Sequence, residues 1–198
     1  MTARTSQIAL IFSAFLTGLV IFSGVFLYAT GNFGGGGPAA SAIGGPFKLV
    51  DQNGDPITDA DLKGKPHLVF FGYTHCPDIC PTTLFDVSEV LRALGKDADG
   101  TGALFITVDP ERDTPAVMKD YLSSFNPHLR GVTGDRAAID AAEKSYRVYA
   151  KKVPTQSGDY SMDHTALVYL MDKQGRFVAP FSLKRKPEEA AADLRRYM

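Results

Sequence analysis

The first long segment of the chain is apolar without interruption. Ile8 to Ala29, IALIFSAFLTGLVIFSGVFLYA, holds 22 residues and no charge. As a helix it would span about 33 Å, against about 30 Å for the hydrocarbon core of a bilayer. A cleaved signal peptide is the rival, but its apolar core normally runs only about 7–15 residues. The ASA at Ala40 to Ala42 resembles a cleavage site, yet it lies far past the apolar run. The pattern predicts one transmembrane anchor at 8–29, preceded by a short N-terminus at 1–7. Arg4 and the N-terminal amine come before the run, and no acid occurs before Asp51. That asymmetry puts residues 1–7 in the cytoplasm and the rest outside it. The Gly-rich stretch at 30–46 has little to bury and predicts a flexible linker.

From Phe47 onward the periodicity changes. FKLVDQNGDPIT predicts a β-hairpin, with Asn53 and Gly54 supplying the positive φ angles of its turn. HLVFFGYT is nearly all apolar, as a central parallel strand buried on both faces would be. Cys80 precedes Pro81, and proline suits the first turn of a helix. A helix is expected from Pro81 to Leu94, stopped by Gly95, with Cys80 at its N-cap. GALFITVDP predicts a second buried strand. TPAVMKDYLSSF predicts a helix capped by Thr114 with Pro115 at its first position, and RAAIDAAEKSYRVYA another. KKVPTQSGDYSMDH is expected to be irregular, TALVYLMD and RFVAPFSL to form a terminal hairpin around Lys173-Gln174-Gly175, and KPEEAAADLRRYM to close the chain as a helix. This order makes 47–198 an α/β sandwich. Two cysteines at the C-terminal end of a central strand, opening onto a helix, resemble the thioredoxin arrangement.

Composition narrows the function. The 198 residues carry a formal net charge of -1 and no long basic run, so nucleic acid is excluded as a partner class. There are only two cysteines, Cys76 and Cys80, in FFGYTHCPDICPTTL. Outside the cytoplasm they could form one disulfide. A four-residue separation closes a tiny loop and constrains the unfolded chain little, which argues against a purely stabilising bridge. On a helix, Cβ atoms four residues apart lie about 5–6 Å apart, wider than the roughly 3.5–4.5 Å of a disulfide. A metal between two thiolates tolerates the wider gap, so this spacer could serve a reduced metal-bound state and an oxidised bridged state. At a helix N-cap, Cys80 would be the more thiolate-like sulfur.

Two thiolates need a further ligand. Of the four histidines, His67 and His128 sit at positions that favour core or surface roles, and His75 adjoins Cys76 and would point away from it. His164, in SMDHTALVYL, is expected at a strand entrance abutting the cysteine loop, with Asp163 tuning it. The set Cys76, Cys80 and His164 suits Cu(I), and zinc with a fourth ligand or water. Met162 is expected to pack rather than ligate.

GYTHCPDICPTTL, VDPERDTPAVMKDYL and DHTALVYLMDKQGRF together resemble the Sco/SenC family, membrane-anchored thioredoxin-like copper proteins that assist assembly of cytochrome c oxidase. The resemblance runs from Phe47 to the C-terminus. It implies copper ligands at Cys76, Cys80 and His164, with Cu(I) as the main ion and Cu(II) as a second form. It implies cytochrome c oxidase subunit two as the partner, an upstream copper donor, and a soluble domain in the periplasm or the mitochondrial intermembrane space. It also implies delivery of copper to that subunit or reduction of its cysteines. The DPERDTP loop is expected to shape the site without Asp109 or Arg112 touching copper.

Other functions remain open at this level. A membrane-tethered thiol–disulfide oxidoreductase would use Cys76 and Cys80 alone and leave His164 incidental. A redox or copper sensor would need only a state-dependent partner. A peroxidase expects Thr or Ser three residues before its nucleophile, where this chain has Pro77 and Tyr73.

Overall fold

In a computed structural model of the protein, residues 3–29, 43–156 and 158–198 are described, with the side chains of the first segment described for 13–26. The chain divides into two units, Met1–Ala40 and Ser41–Met198. The first contains helix α1, Ala3–Ala29. Among the described residues no helix is long and apolar enough to cross a membrane. The expected linker falls largely outside the described residues.

The second unit has a seven-stranded sheet in the order β2-β1-β5-β4-β3-β8-β9, with a separate two-stranded sheet of β6 (Ala150–Pro154) and β7 (Tyr160–His164). The strands of the larger sheet are β1 (Lys48–Asp51), β2 (Pro56–Thr58), β3 (His67–Gly72), β4 (Gly102–Thr107), β5 (Leu129–Thr133), β8 (Val168–Met171) and β9 (Phe177–Pro180). The helices are α2 (Ile79–Leu94), α3 (Pro115–Leu122), α4 (Arg136–Tyr146) and α5 (Pro187–Arg195). All six residues of β3 are buried. It pairs parallel with β4, from His67↔Gly102 to Gly72↔Thr107, and antiparallel with β8. That continuous apolar run places the C-terminal end of β3, where the cysteine loop begins, in the middle of the sheet. The α/β sandwich expected from the sequence is present.

Local chemistry explains several boundaries. Thr114 caps α3 by accepting a hydrogen bond from the Val117 N–H, with Pro115 in the first turn. Gly95 ends α2 at φ +61, as expected. Gly54 alone takes a positive φ, +87, in the first turn. Asn53 keeps an ordinary φ because the Asp51 carboxylate accepts from the Asn53 and Asp55 N–H groups and closes the turn itself.

Three expectations are corrected. Strand β5 was not foreseen between α3 and α4. It carries Gly131, where a Cβ would fall 2.6 Å from the Leu122 side chain, so close approach of α3 demands the glycine that weakens the strand signal. Helix α4 stops at Tyr146 because Arg147 turns left-handed, at φ 57. The stretch expected to be irregular forms β6 (Ala150–Pro154) and β7 (Tyr160–His164), an antiparallel hairpin. Its residues from Lys151 to Pro154 are exposed, so it lacks the alternation a half-buried strand shows.

Candidate metal centre

The loop after β3 turns sharply, with the Cys76 N–H donating to the Tyr73 carbonyl at 3.3 Å. Helix α2 begins at Ile79, two residues earlier than expected, and Asp78 rather than Cys80 is its N-cap. The Asp78 side chain makes no capping bond. Instead the Cys80 N–H donates to the sulfur of Cys76 at 3.4 Å. One orphan donor of the first helical turn is thus spent on the Cys76 sulfur. Cys80 is fully buried, and burial pushes its thiol pKa up. The expectation that an N-cap position favours a thiolate at Cys80 is therefore corrected: Asp78 holds the N-cap, and desolvation dominates at Cys80. Both sulfurs are free thiols here, and Cys76 is the partly exposed one.

Gly72, the last residue of β3, makes room for the inner sulfur. A Cβ there would lie 2.7 Å from the Cys80 Sγ and 2.7 Å from the Phe105 ring. The cysteine loop is also tied to the DPERDTP loop through buried Asp113. Its carboxylate accepts from the Thr74 N–H at 3.1 Å, the Thr74 hydroxyl at 2.5 Å and the Thr107 hydroxyl at 2.6 Å. Burial raises the pKa of Asp113, and these donors act against that rise.

His164 ends β7 instead of opening β8, which corrects its expected place. Its Nε2 stands 3.6 Å from the Cys80 Sγ. Its ring meets Tyr73 edge-on, centroids 5.8 Å apart at 88°, and Phe70 at 6.3 Å. The Nδ1 lies 3.2 Å from the Thr165 carbonyl, a partner only for a protonated nitrogen. This assigns the proton to Nδ1 and leaves the Nε2 lone pair facing the sulfurs. Burial lowers the His164 pKa, which keeps the ring neutral and fit to ligate. Exposed Asp163 tunes the ring by its charge, which opposes the lowering by burial, while the Thr165 carbonyl orients it.

One ligand atom each from Cys76, Cys80 and His164 lies within 4.8 Å of the others. For comparison, two zinc–sulfur bonds of about 2.3 Å bring sulfurs to within about 4.6 Å. Two sulfurs and one imidazole are a soft donor set. A bound cation would also displace the proton that burial holds on Cys80. The other histidines do not join. His75 is exposed, its Nδ1 near the Thr74 hydroxyl. His67 is buried at the opposite end of β3, its Nδ1 2.9 Å from the Lys65 carbonyl, and burial lowers its pKa to about 4. His128 pairs with Asp99. Met162 is buried among the core side chains, as expected of a packing residue.

Comparison with known proteins bears on this geometry. A family model described as SCO1/SenC matches residues 36–198. The solved structure of Bradyrhizobium japonicum ScoI with copper bound is 72% identical, with a TM-score of 0.77 over 79% of this chain and 99% of that one. The SCO2-like protein of Rickettsia felis is 40% identical over 149 residues, covering 74% of this chain and 73% of its own length. The mitochondrial SCO1 homolog of Mus musculus is 40% identical over 159 residues, covering 79% of this chain and 56% of its own.

Proposed function

The chain belongs to the SCO1/SenC family, and from that premise we propose that it is a membrane-anchored copper metallochaperone serving assembly of the binuclear copper centre in cytochrome c oxidase subunit two. The observation that carries the reading is the convergence of Cys76, Cys80 and His164 ligand atoms within 4.8 Å. Similarity to a ScoI that binds copper supports the choice of metal. Cu(I) is the ion this donor set favours, and Cu(II) is the oxidised counterpart. Both thiols lose their protons on binding, while the Thr165 carbonyl holds the imidazole in the ligating tautomer. Copper arrives from an upstream donor and leaves as the partner's ligands replace these three.

A second reading is favoured by the unequal exposure of the sulfurs. Partly exposed Cys76 can attack a disulfide of subunit two, forming a mixed disulfide and releasing one partner thiolate. Buried Cys80 then attacks the Cys76 sulfur, releasing the second partner thiolate. Two electrons pass to the partner, and the Cys76–Cys80 disulfide is left behind.

The test loads the reduced full chain with one equivalent of Cu(I) and mixes it with the reduced, copper-free soluble domain of subunit two. Copper is expected in the subunit-two fraction after separation. Retention by the chain in excess acceptor, or failure to load, contradicts the chaperone reading. Reduction of an oxidised subunit-two domain by the metal-free chain marks the second reading.

We place residues 8–29 in the inner membrane as an anchor, 30–46 as linker, and 47–198 in the periplasm, or in the intermembrane space of a mitochondrion. Support comes from the charge-free run behind Arg4. Protease added to intact spheroplasts is expected to digest the chain from about Phe47 onward. Protection while a periplasmic control is cut contradicts this orientation.

A further inference from the structure

His164 reaches the sulfurs on an arm of which, among its strand residues, only Met162 is buried. The β6–β7 hairpin is a separate two-stranded sheet, its ladder running from Ala150↔His164 to Pro154↔Tyr160. Isolated hairpins of this kind are marginal in water. Met162 and the rings around His164 hold one end of the arm, and the end beyond Met162 needs a further fixture.

That fixture is Arg112, in the loop between β4 and α3. Its Nη1 donates to the Tyr160 carbonyl at 3.0 Å and to the Asp159 carboxylate at 3.4 Å. Its guanidinium carbon stands 3.8 Å over the Tyr160 ring. Its Nε donates to one oxygen of buried Asp109, while the Tyr160 hydroxyl donates to the other at 2.9 Å. The same guanidinium lies 5.8 Å from the ring of Tyr73, which carries His164 on its edge. One side chain thus grips the end of the hairpin remote from His164 and borders the aromatic ring beneath it. The Arg112 Nη2 is buried with no hydrogen-bond partner among the described residues, an arrangement that costs stability. Arg112 is not among the ligand atoms of the sulfur site.

We propose that Arg112, acting with Tyr160, is a positioning residue that sets where His164 stands relative to Cys76 and Cys80. Resting on the copper reading above, the clasp governs whether the third ligand is engaged. Closed, it completes a three-ligand site.

A double-mutant cycle separates positioning from a general structural role. Cu(I) affinity is measured by chelator competition on the full chain in detergent, for wild type, Arg112→Gln, His164→Ala and the double variant. Arg112→Gln is expected to weaken binding by about 10–100-fold, the usual effect of losing a residue that orients a ligand. In the His164→Ala background the same change is expected to do almost nothing, since there is no third ligand left to place. Arg112→Lys, which keeps the charge but not the planar fork, is expected to fall between. An unchanged affinity for Arg112→Gln overturns the proposal, and so does an equal loss in both backgrounds. If Arg112→Gln does not fold, Tyr160→Leu replaces it in the same cycle under the same criteria. A metal-independent measurement keeps the test apart from the copper reading. In the metal-free chain, the His164 ring proton signal is displaced by the neighbouring Tyr73 and Phe70 rings. It is expected to move toward its free value in Arg112→Gln, and a signal that stays in place overturns the proposal even if wild type holds no copper.

Discussion

Cys76→Ser and Cys80→Ser are each expected to abolish both tight copper binding and thiol exchange. A serine hydroxyl at neutral pH supplies neither the soft anionic ligand that Cu(I) selects nor a sulfur for a disulfide. The two losses should differ in their structural cost. Cys76 is partly exposed and accepts from the Cys80 N–H, a bond a serine oxygen can also accept, so its serine variant should unfold close to wild type. Cys80 is fully buried against Gly72, and a hydroxyl there costs about 1–3 kcal/mol if it finds no partner. Chelator competition on the reduced variants and thermal unfolding of their metal-free forms check both statements. Copper held at wild-type strength by either variant would remove that sulfur from the site.

His164→Ala is expected to separate the two chemistries that the cysteine pair can perform. Exchange between Cys76 and Cys80 requires no imidazole, so the rate of disulfide formation with a small disulfide reagent should remain near that of wild type. Copper binding should fall by more than the roughly 10–100-fold typical of losing an outer-sphere partner, because a ligand itself is gone. The Nε2, 3.6 Å from the Cys80 sulfur, is placed to ligate an ion held by that sulfur. Loss of exchange together with copper binding would instead make His164 a participant in the thiol chemistry.

The main architecture was legible because it rests on burial. The run at 67–72 is apolar on both faces, and a central strand is the economical way to bury it. Thr114-Pro115 and Gly95 likewise announce helix ends through local backbone chemistry. The β6–β7 hairpin was hidden because its residues from Lys151 to Pro154 stay exposed and obtain their order from distant contacts, Arg112 on Tyr160 above all. The three candidate ligand residues stand out by residue type and family resemblance, and their ligand atoms lie within 4.8 Å of one another. What orients them does not stand out. Thr165 acts on His164 through its carbonyl, which no side-chain pattern reports. The DPERDTP loop was visible as a motif, yet its tie to the histidine arm depends on contacts 47 and 48 residues away in sequence. The preference for Cys80 as thiolate failed because sequence offers the helix terminus but not the depth of burial beside it.

X-ray absorption at the copper edge tests the site most directly. Wild type loaded with one equivalent of Cu(I) under reducing conditions is expected to show two sulfur neighbours and one imidazole nitrogen, and His164→Ala to show the two sulfurs without that nitrogen. Identical spectra from the two proteins, or a wild-type spectrum lacking either the sulfur pair or the imidazole, would contradict a copper centre built from Cys76, Cys80 and His164.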